Sequence, residues 1–375
     1  MSESVLFREL ESVSDKKIGV ATLNAEKSLN ALSLEMVQLL TPQLLAWQQD
    51  PEIALVMIEG AGEKAFCAGG DVVQLYKAAT SAGDGSYSQD IETFFTKEYE
   101  LDYLIHTFDK PILLWGHGIV MGGGLGLLAG ASHRVVTEKS RIAMPEITIG
   151  LYPDVGGTYF LNKMPPGCGL FLGLTGASIN AADAKYVKLA DHFVCNENKV
   201  NVIEELLLVQ WGDTEALNHQ KLTDVLMKFE VQDKIQMPKG NLSHHQELLT
   251  EIANMNRVES AVVAILDHKT EEKWFTKAQV ALGDGSALTA HIVKRQLELG
   301  KELSLADCFR LELGVSCNCA AIGEFSEGVR ALLIEKDNNP DWMFATVHDV
   351  DPAMVDKMFN SPWKKEQHPL ASLGK

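Results

Sequence analysis

Apolar residues follow two kinds of pattern in this chain, and the kind changes along its length. In the first half, short unbroken apolar runs predict buried strands: Lys17-Ile18-Gly19-Val20-Ala21-Thr22-Leu23, Ile53-Ala54-Leu55-Val56-Met57-Ile58 and Pro111-Ile112-Leu113-Leu114-Trp115. His133-Arg134-Val135-Val136 and Arg141-Ile142-Ala143 predict two shorter ones. Between the first two runs, Ser33 is placed to cap a helix whose Leu34, Met36, Val37, Leu40 and Leu44 follow helical spacing. Strand–helix alternation of this kind implies an α/β core. From about Asp183 onward the pattern is almost wholly helical. Amphipathic faces run through Glu204-Leu206-Leu207-Leu208, Leu222-Val225-Leu226-Phe229 and Leu248-Ile252-Met255. Later helices are expected over Glu259 to Asp267, Glu272 to Leu282, Ala287 to Leu299 and Leu303 to Leu313, and a flexible connection over 231–245, which holds Pro238, Gly240 and Asn241. The expected organisation is an α/β core over residues 1–200 that carries the chemistry, then a mainly helical region over 201–375.

Composition narrows the function. The 375 residues are 46% hydrophobic, enough for a large core, and the formal charge is −18, from 33 basic against 51 acidic residues. A nucleic-acid partner needs a concentrated basic face, so that class is disfavoured, as is an anionic membrane surface. An anionic small substrate stays open if a few Lys or Arg gather locally. Cys67, Cys168, Cys195, Cys308, Cys317 and Cys319 form no zinc-like spacing, so reduced thiols and no metal are expected. The start, Met1-Ser2-Glu3-Ser4, is acidic and lacks a signal core or an Arg-rich amphipathic helix, and no apolar run approaches the ~18 residues that span a bilayer. A soluble, cytoplasmic protein is expected.

Two glycine-rich loops and three carboxylates carry the candidate chemistry. In Lys64-Ala65-Phe66-Cys67-Ala68-Gly69-Gly70-Asp71, the absence of large side chains from 67 to 70 lets backbone approach a ligand; it is equally a turn before a helix starting near Asp71. Met121-Gly122-Gly123-Gly124-Leu125-Gly126 opens an apolar helix, where first-turn amides lack internal partners and the dipole adds positive character. One amide from each loop would make an oxyanion hole. Glu146, after Pro145 and before Ile147-Thr148-Ile149, is either a satisfied structural carboxylate or a functional one with a raised pKa. Asp154, just before Gly156-Gly157, is either functional or an N-cap for the helix containing Tyr159, Phe160 and Leu161. Glu98 shares the helical stripe of Ile91, Phe94, Phe95, Leu101 and Ile105, so it is either ion-paired with a Lys or Arg or lines a polar cavity. His117 reads most simply as a packed or hydrogen-bonded histidine.

Taken jointly, these segments resemble the crotonase (enoyl-CoA hydratase/isomerase) superfamily. The resemblance rests on Ser28-Leu29-Asn30-Ala31-Leu32, the Lys64–Asp71 segment, Gly116-His117-Gly118-Ile119-Val120-Met121-Gly122-Gly123-Gly124 and Pro145-Glu146. Its 3-hydroxyisobutyryl-CoA hydrolase branch matches more closely, through Gly150-Leu151-Tyr152-Pro153-Asp154-Val155-Gly156-Gly157 and Phe325-Ser326-Glu327-Gly328-Val329-Arg330-Ala331. The resemblance implies a spiral of ββα units with a helical C-terminal part, and hydrolysis of a short 3-hydroxyacyl-CoA such as 3-hydroxyisobutyryl-CoA, a thioester of valine catabolism. It implies oxyanion amides from Gly70 and Gly123, and acyl-site positions at Glu98, Gly123, Glu146 and Asp154. Lys27, Leu29, Lys64, Phe66 and Ala68 would lie along the CoA moiety. CoA is then part of the substrate, no separate cofactor is expected, and a homo-oligomer is compatible with the resemblance.

Position 126 separates hydrolase from hydratase. Gly123 and residue 126 lie three apart on one helix and so share a face. Hydratases of the superfamily place a glutamate there, working with a second one at the position of Glu146; here it is Gly126. Thioester hydrolysis needs less acid catalysis, because a thiol of pKa about 8.5 leaves readily as thiolate. Two alternatives stand beside it: a hydratase or isomerase that recruits Asp154 as second acid, and a non-catalytic acyl-CoA or RNA-binding protein on the same scaffold. The first would consume an enoyl-CoA without releasing thiol; the second would release none at all.

Overall fold

A computed structural model describes residues 3–82 and 85–375 of the chain; Met1 and Ser2 of the acidic start lie outside them. Nine strands are present among the described residues: β1 (Val5–Glu11), β2 (Lys17–Leu23), β3 (Ile53–Gly60), β4 (Ala65–Cys67), β5 (Ile112–Gly116), β6 (Ile119–Met121), β7 (His133–Val136), β8 (Arg141–Ala143) and β9 (His192–Phe193). Six form one sheet in the order β1-β2-β3-β5-β7-β9, and three a second in the order β4-β6-β8. Only the β1–β2 pair of the large sheet is antiparallel; β2–β3, β3–β5, β5–β7 and β7–β9 are parallel. Each of β3, β5 and β7 is followed by a short strand of the second sheet and then by a helix or helical turn: Val72–Thr80, Gly123–Gly130 and Glu146–Ile149. This is the ββα spiral.

The predicted strands all form, because parallel central strands are buried on both faces and read as unbroken apolar runs. β3 is buried along its whole length. Ser33 does cap the helix Leu34–Gln49, its Oγ accepting from the Met36 amide. Trp47 of that helix lies over β2, where a Cβ at Gly19 would come within 2.7 Å of its ring, so that strand position must be glycine.

The chain divides into two compact units that do not follow the expected break at residue 200. One comprises Met1–Gly70, Leu101–Ile142 and Ile179–Gly240; the other comprises Asp71–Glu100, Ala143–Ser178 and Asn241–Lys375. The physical reason is visible in the first unit's core. Val202 and Leu206 of the helix Lys199–Leu207, with Leu222, Val225, Leu226 and Phe229 of Glu215–Asp233, pack with Ile18, Val20, Leu55, Met57, Leu113 and Trp115 of the sheet. These helices cover the sheet of the α/β unit rather than opening a separate region. Nor is 231–245 simply an irregular link: helix continues to Asp233, and short 3-10 turns occupy Lys234–Gln236 and Leu242–His245. Buried Asp233 anchors that helix end by accepting from the Cys195 amide and from Asn198 Nδ2.

The second unit is built from helices. Val258–Asp267, Lys273–Asp284 and Ala287–Gly300 fall close to their predicted positions, and Leu305–Ala321 runs about two turns past its predicted end. Among the described residues, no helix is long and apolar enough to cross a membrane.

Candidate active site

In the first unit the two glycine loops lie side by side. β4 pairs with β6 in parallel, which carries Cys67-Ala68-Gly69-Gly70 alongside Met121-Gly122-Gly123-Gly124. A Cβ at Gly124 would stand 2.5 Å from the Cys67 carbonyl oxygen, a separation no side chain tolerates. Gly69 and Gly122 have φ of 108° and 48°, so both loops use conformations that L-residues avoid. Gly70 is bridged to Leu32, and the Leu32 amide donates to the Gly69 carbonyl at 2.8 Å. Gly123 opens the helix Gly123–Gly130, so its amide has no partner inside that helix. Asp71 caps the following helix by accepting from the Gln74 amide, as its position before Val72 suggested.

In the second unit the three carboxylates meet. Glu146 begins a 3-10 turn and is 5% exposed; Asp154 lies in the irregular loop after it, 4% exposed; Glu98 sits on the helix Gln89–His106, 2% exposed. Burial, then the Asp154 charge, then that of Glu98, hold Glu146 well above the ordinary carboxylate range. Burial and the Asp154 charge do the same to Glu98. Burial raises Asp154 to about 6, against a lowering hydrogen bond from Tyr99. Among the described residues the ion-pair alternative for Glu98 is not realised: its charged neighbour is another carboxyl. Glu146 Oε2 is buried with no hydrogen-bond partner among the described residues.

Asp154 is not the N-cap of the helix Gly157–Phe160, which has Gly156 at that position and no side-chain cap from its own loop. Glu312 takes that role from 156 residues away. Its two carboxyl oxygens accept from the Gly156 and Thr158 amides, each at 2.8 Å. Gln296 adds hydrogen bonds to the Pro153 carbonyl and the Thr158 hydroxyl. Val155 at φ 49° and Gly156 at φ 90° show how sharply the loop bends under these restraints. The freed Asp154 carboxyl accepts from the Tyr99 hydroxyl at 2.7 Å. Tyr99, Tyr152, Glu312 and Ser316 were not singled out by the sequence reading. For Glu312 a signal existed, since it shares a helical stripe with Cys308, Phe309 and Val315 and is itself fully buried. The same stripe pattern marks Glu98.

One unit thus holds the paired glycine loops, and the other a carboxyl cluster with no cation paired to it among the described residues. The sequence profile of the enoyl-CoA hydratase/isomerase family matches residues 18–359. The chain belongs to this family. Among its relatives, the protein named 3-hydroxyisobutyryl-CoA hydrolase, mitochondrial, of Gallus gallus is 39% identical over 342 residues, covering 91% of this chain and 86% of the relative. The Homo sapiens protein of the same name is 36% identical over 345 residues, 92% and 86% of the two chains. Two solved structures superpose closely. A carnitinyl-CoA dehydratase from Mycobacterium thermoresistibile gives a TM-score of 0.85 at 30% identity, with 100% of both chains covered. An enoyl-CoA hydratase from Rhodobacter sphaeroides gives 0.81 at 30% identity, covering 96% of this chain and 98% of that one.

The residues assigned to the CoA moiety by resemblance can be placed within the first unit. Lys27 and Lys64 are exposed, and Leu29 and Ala68 half-buried. The Ala68 amide donates to the Leu29 carbonyl at 3.1 Å, and Asn30 Nδ2 to the carbonyls of Ala61 and Ala65, so the two segments are tied together. The Phe66 side chain is completely buried in the core and its amide donates to the His117 carbonyl. A strand only three residues long leaves no sequence period to distinguish its inward from its outward position. His117 itself is hydrogen-bonded through Nε2 to the Gly62 carbonyl, in keeping with the structural reading. Gly126 lies buried in the helix Gly123–Gly130, its amide donating to the Gly122 carbonyl.

Proposed function

We propose that this protein hydrolyses short 3-hydroxyacyl-CoA thioesters, with 3-hydroxyisobutyryl-CoA foremost, to the free hydroxy acid and CoA. The observation that carries the reading is glycine at position 126 combined with the buried Glu146–Asp154 pair. The relatives of 36–39% identity bear the hydrolase name over nine-tenths of the chain, which supports the same reading. The amides of Gly70 and Gly123 stabilise the oxyanion, a contribution of about a hundredfold or more per donor. Glu146 removes a proton from water as its oxygen bonds to the carbonyl carbon; collapse of the intermediate breaks the C–S bond and releases CoA as thiolate. Attack by Glu146 itself, through an acyl-glutamyl anhydride, reaches the same products. Asp154 accepts from the substrate 3-hydroxyl and orients the acyl group, while Glu98 shapes the polar surroundings. Lys27 approaches the CoA phosphates, and the Lys64–Ala68 segment lies along the CoA moiety. No cofactor is required, because CoA arrives with the substrate.

Glu146→Gln is expected to lower thiol release from 3-hydroxyisobutyryl-CoA by at least about a hundredfold while CoA-ester binding, measured by calorimetry, survives. Wild-type-like turnover would sink the mechanism. Single-turnover hydrolysis in oxygen-18 water separates the two attack modes, since label recovered in Glu146 excludes direct attack by water. The cytoplasmic placement expected from the sequence is part of this proposal, whereas the names of the relatives carry the word mitochondrial. Among the described residues none of the six buried cysteines is in a disulfide, which suits either reducing compartment. Cell fractionation with immunoblotting decides between them.

A further inference from the structure

The hydroxyl groups around Asp154 are one proton short of a complete network when that residue is ionised. A continuous line of contacts runs from Asp154 Oδ2 to Tyr99 Oη (2.7 Å), to Ser316 Oγ (2.7 Å), to Tyr152 Oη (3.0 Å), and ends on the backbone carbonyl of Glu312 (2.7 Å). These four contacts share three hydroxyl protons, one each from Tyr99, Ser316 and Tyr152. The terminal carbonyl can only accept, so Tyr152 must donate to it. An ionised Asp154 also only accepts, so Tyr99 must donate there. Ser316 then holds a single proton for two oxygens, and one contact is left as two lone pairs facing each other. A proton on Asp154 Oδ2 resolves the shortage. Asp154 then donates to Tyr99, Tyr99 to Ser316, Ser316 to Tyr152, and Tyr152 to the carbonyl. All four side chains are buried, so water does not make up the deficit from the surface.

We propose that Ser316 and Tyr152 are positioning residues that, acting through the Tyr99 hydroxyl, hold a proton on Asp154. The Asp154 charge is the strongest electrostatic repulsion acting on Glu146 and on Glu98, so its neutrality eases ionisation of both. Oδ1 takes no part in the line of hydroxyls, and a neutral carboxyl still accepts there from a substrate hydroxyl. The titratable groups facing Asp154 are Glu98 and Tyr99 on the helix Gln89–His106, Glu146 and Tyr152 on the loop, and Glu312 and Cys319 on the helix Leu305–Ala321. None of these is a cation. The use made of the Glu146 charge rests on the hydrolase reading; the location of the proton does not.

The test is a difference-infrared pH titration of the protonated carboxyl band, assigned to Asp154 by its loss in Asp154→Asn, with the full chain and no substrate. Ser316→Ala and Tyr152→Phe each remove the shortage, because the remaining hydroxyl protons suffice for an ionised Asp154. Both are expected to lower the midpoint by about one pH unit. Tyr99→Phe deletes the donor to the ionised form and is expected to raise it. A merely loosened loop that admits water moves all three variants in the same direction. The proposal is overturned if Ser316→Ala fails to lower the midpoint or if Tyr99→Phe lowers it too; Ser316→Ala decides alone should Tyr152→Phe not fold. Thiol release by the wild-type chain is measured separately, so failure of the hydrolase reading is distinguishable from failure of the proton assignment.

Discussion

Asp154 illustrates what a buried carboxyl costs the residue scale of this protein. Its pKa is about 6 in the folded chain and about 3.9 when unfolded, so between these values the folded state holds more protons. The contribution it makes to stability is therefore fully present below about pH 4 and is lost as pH rises through about 6. Asp154→Asn removes that penalty. The variant is expected to melt above the wild type at pH 8, by on the order of 2 kcal/mol, and to match it near pH 4. Calorimetric scans at the two pH values check this, and a lower melting temperature at pH 8 contradicts it. On substrates, the same change is expected to slow hydrolysis of a 3-hydroxyacyl-CoA at least tenfold more than that of the unsubstituted acyl-CoA, about 1.4 kcal/mol of selectivity. Equal losses in steady-state kinetics argue against a contact with the 3-hydroxyl. Glu146 and Asp154 were legible in the sequence because prolines and glycines bracket them. Tyr99 and Ser316 were not, because their partners lie 55 and 217 residues away in the chain.

At the scale of elements, two close backbone contacts fix the turn that carries Glu146. Gly150, at φ 64°, faces the Glu324 carbonyl, and a Cβ at Gly328 would stand 2.4 Å from the Ile149 carbonyl carbon. This gives a physical reason for glycine within Phe325-Ser326-Glu327-Gly328-Val329, a stretch the sequence reading knew only by resemblance. Gly328→Ala forces the helix Glu324–Val329 off that turn and is expected to cost about 1–3 kcal/mol. It should also speed amide exchange over residues 146–151 and lower kcat; unchanged exchange there contradicts the account. The long parallel strands and most helices were readable from their periods. The short strands β4, β6 and β9 were not, since two or three residues carry no period, and β1 was missed because its pattern of exposure is irregular. Which helix covers which sheet was also hidden: the amphipathic face over Leu222–Phe229 announces burial without naming the surface it meets.

For the molecule as a whole, fold and reaction part company. Solved structures named for hydration and dehydration share this fold over essentially the entire chain at 30% identity. The choice of reaction therefore lies in the side chains placed on that scaffold. Glycine at 126 and the Glu146–Asp154 pair are the central evidence for hydrolysis. The most direct measurement presents the purified protein with 3-hydroxyisobutyryl-CoA and with crotonyl-CoA in parallel, following free thiol and enoyl absorbance in both. The account predicts rapid thiol release from 3-hydroxyisobutyryl-CoA and no water-dependent loss of enoyl absorbance from crotonyl-CoA. Loss of enoyl absorbance without release of thiol, with 3-hydroxyisobutyryl-CoA left intact, would contradict it.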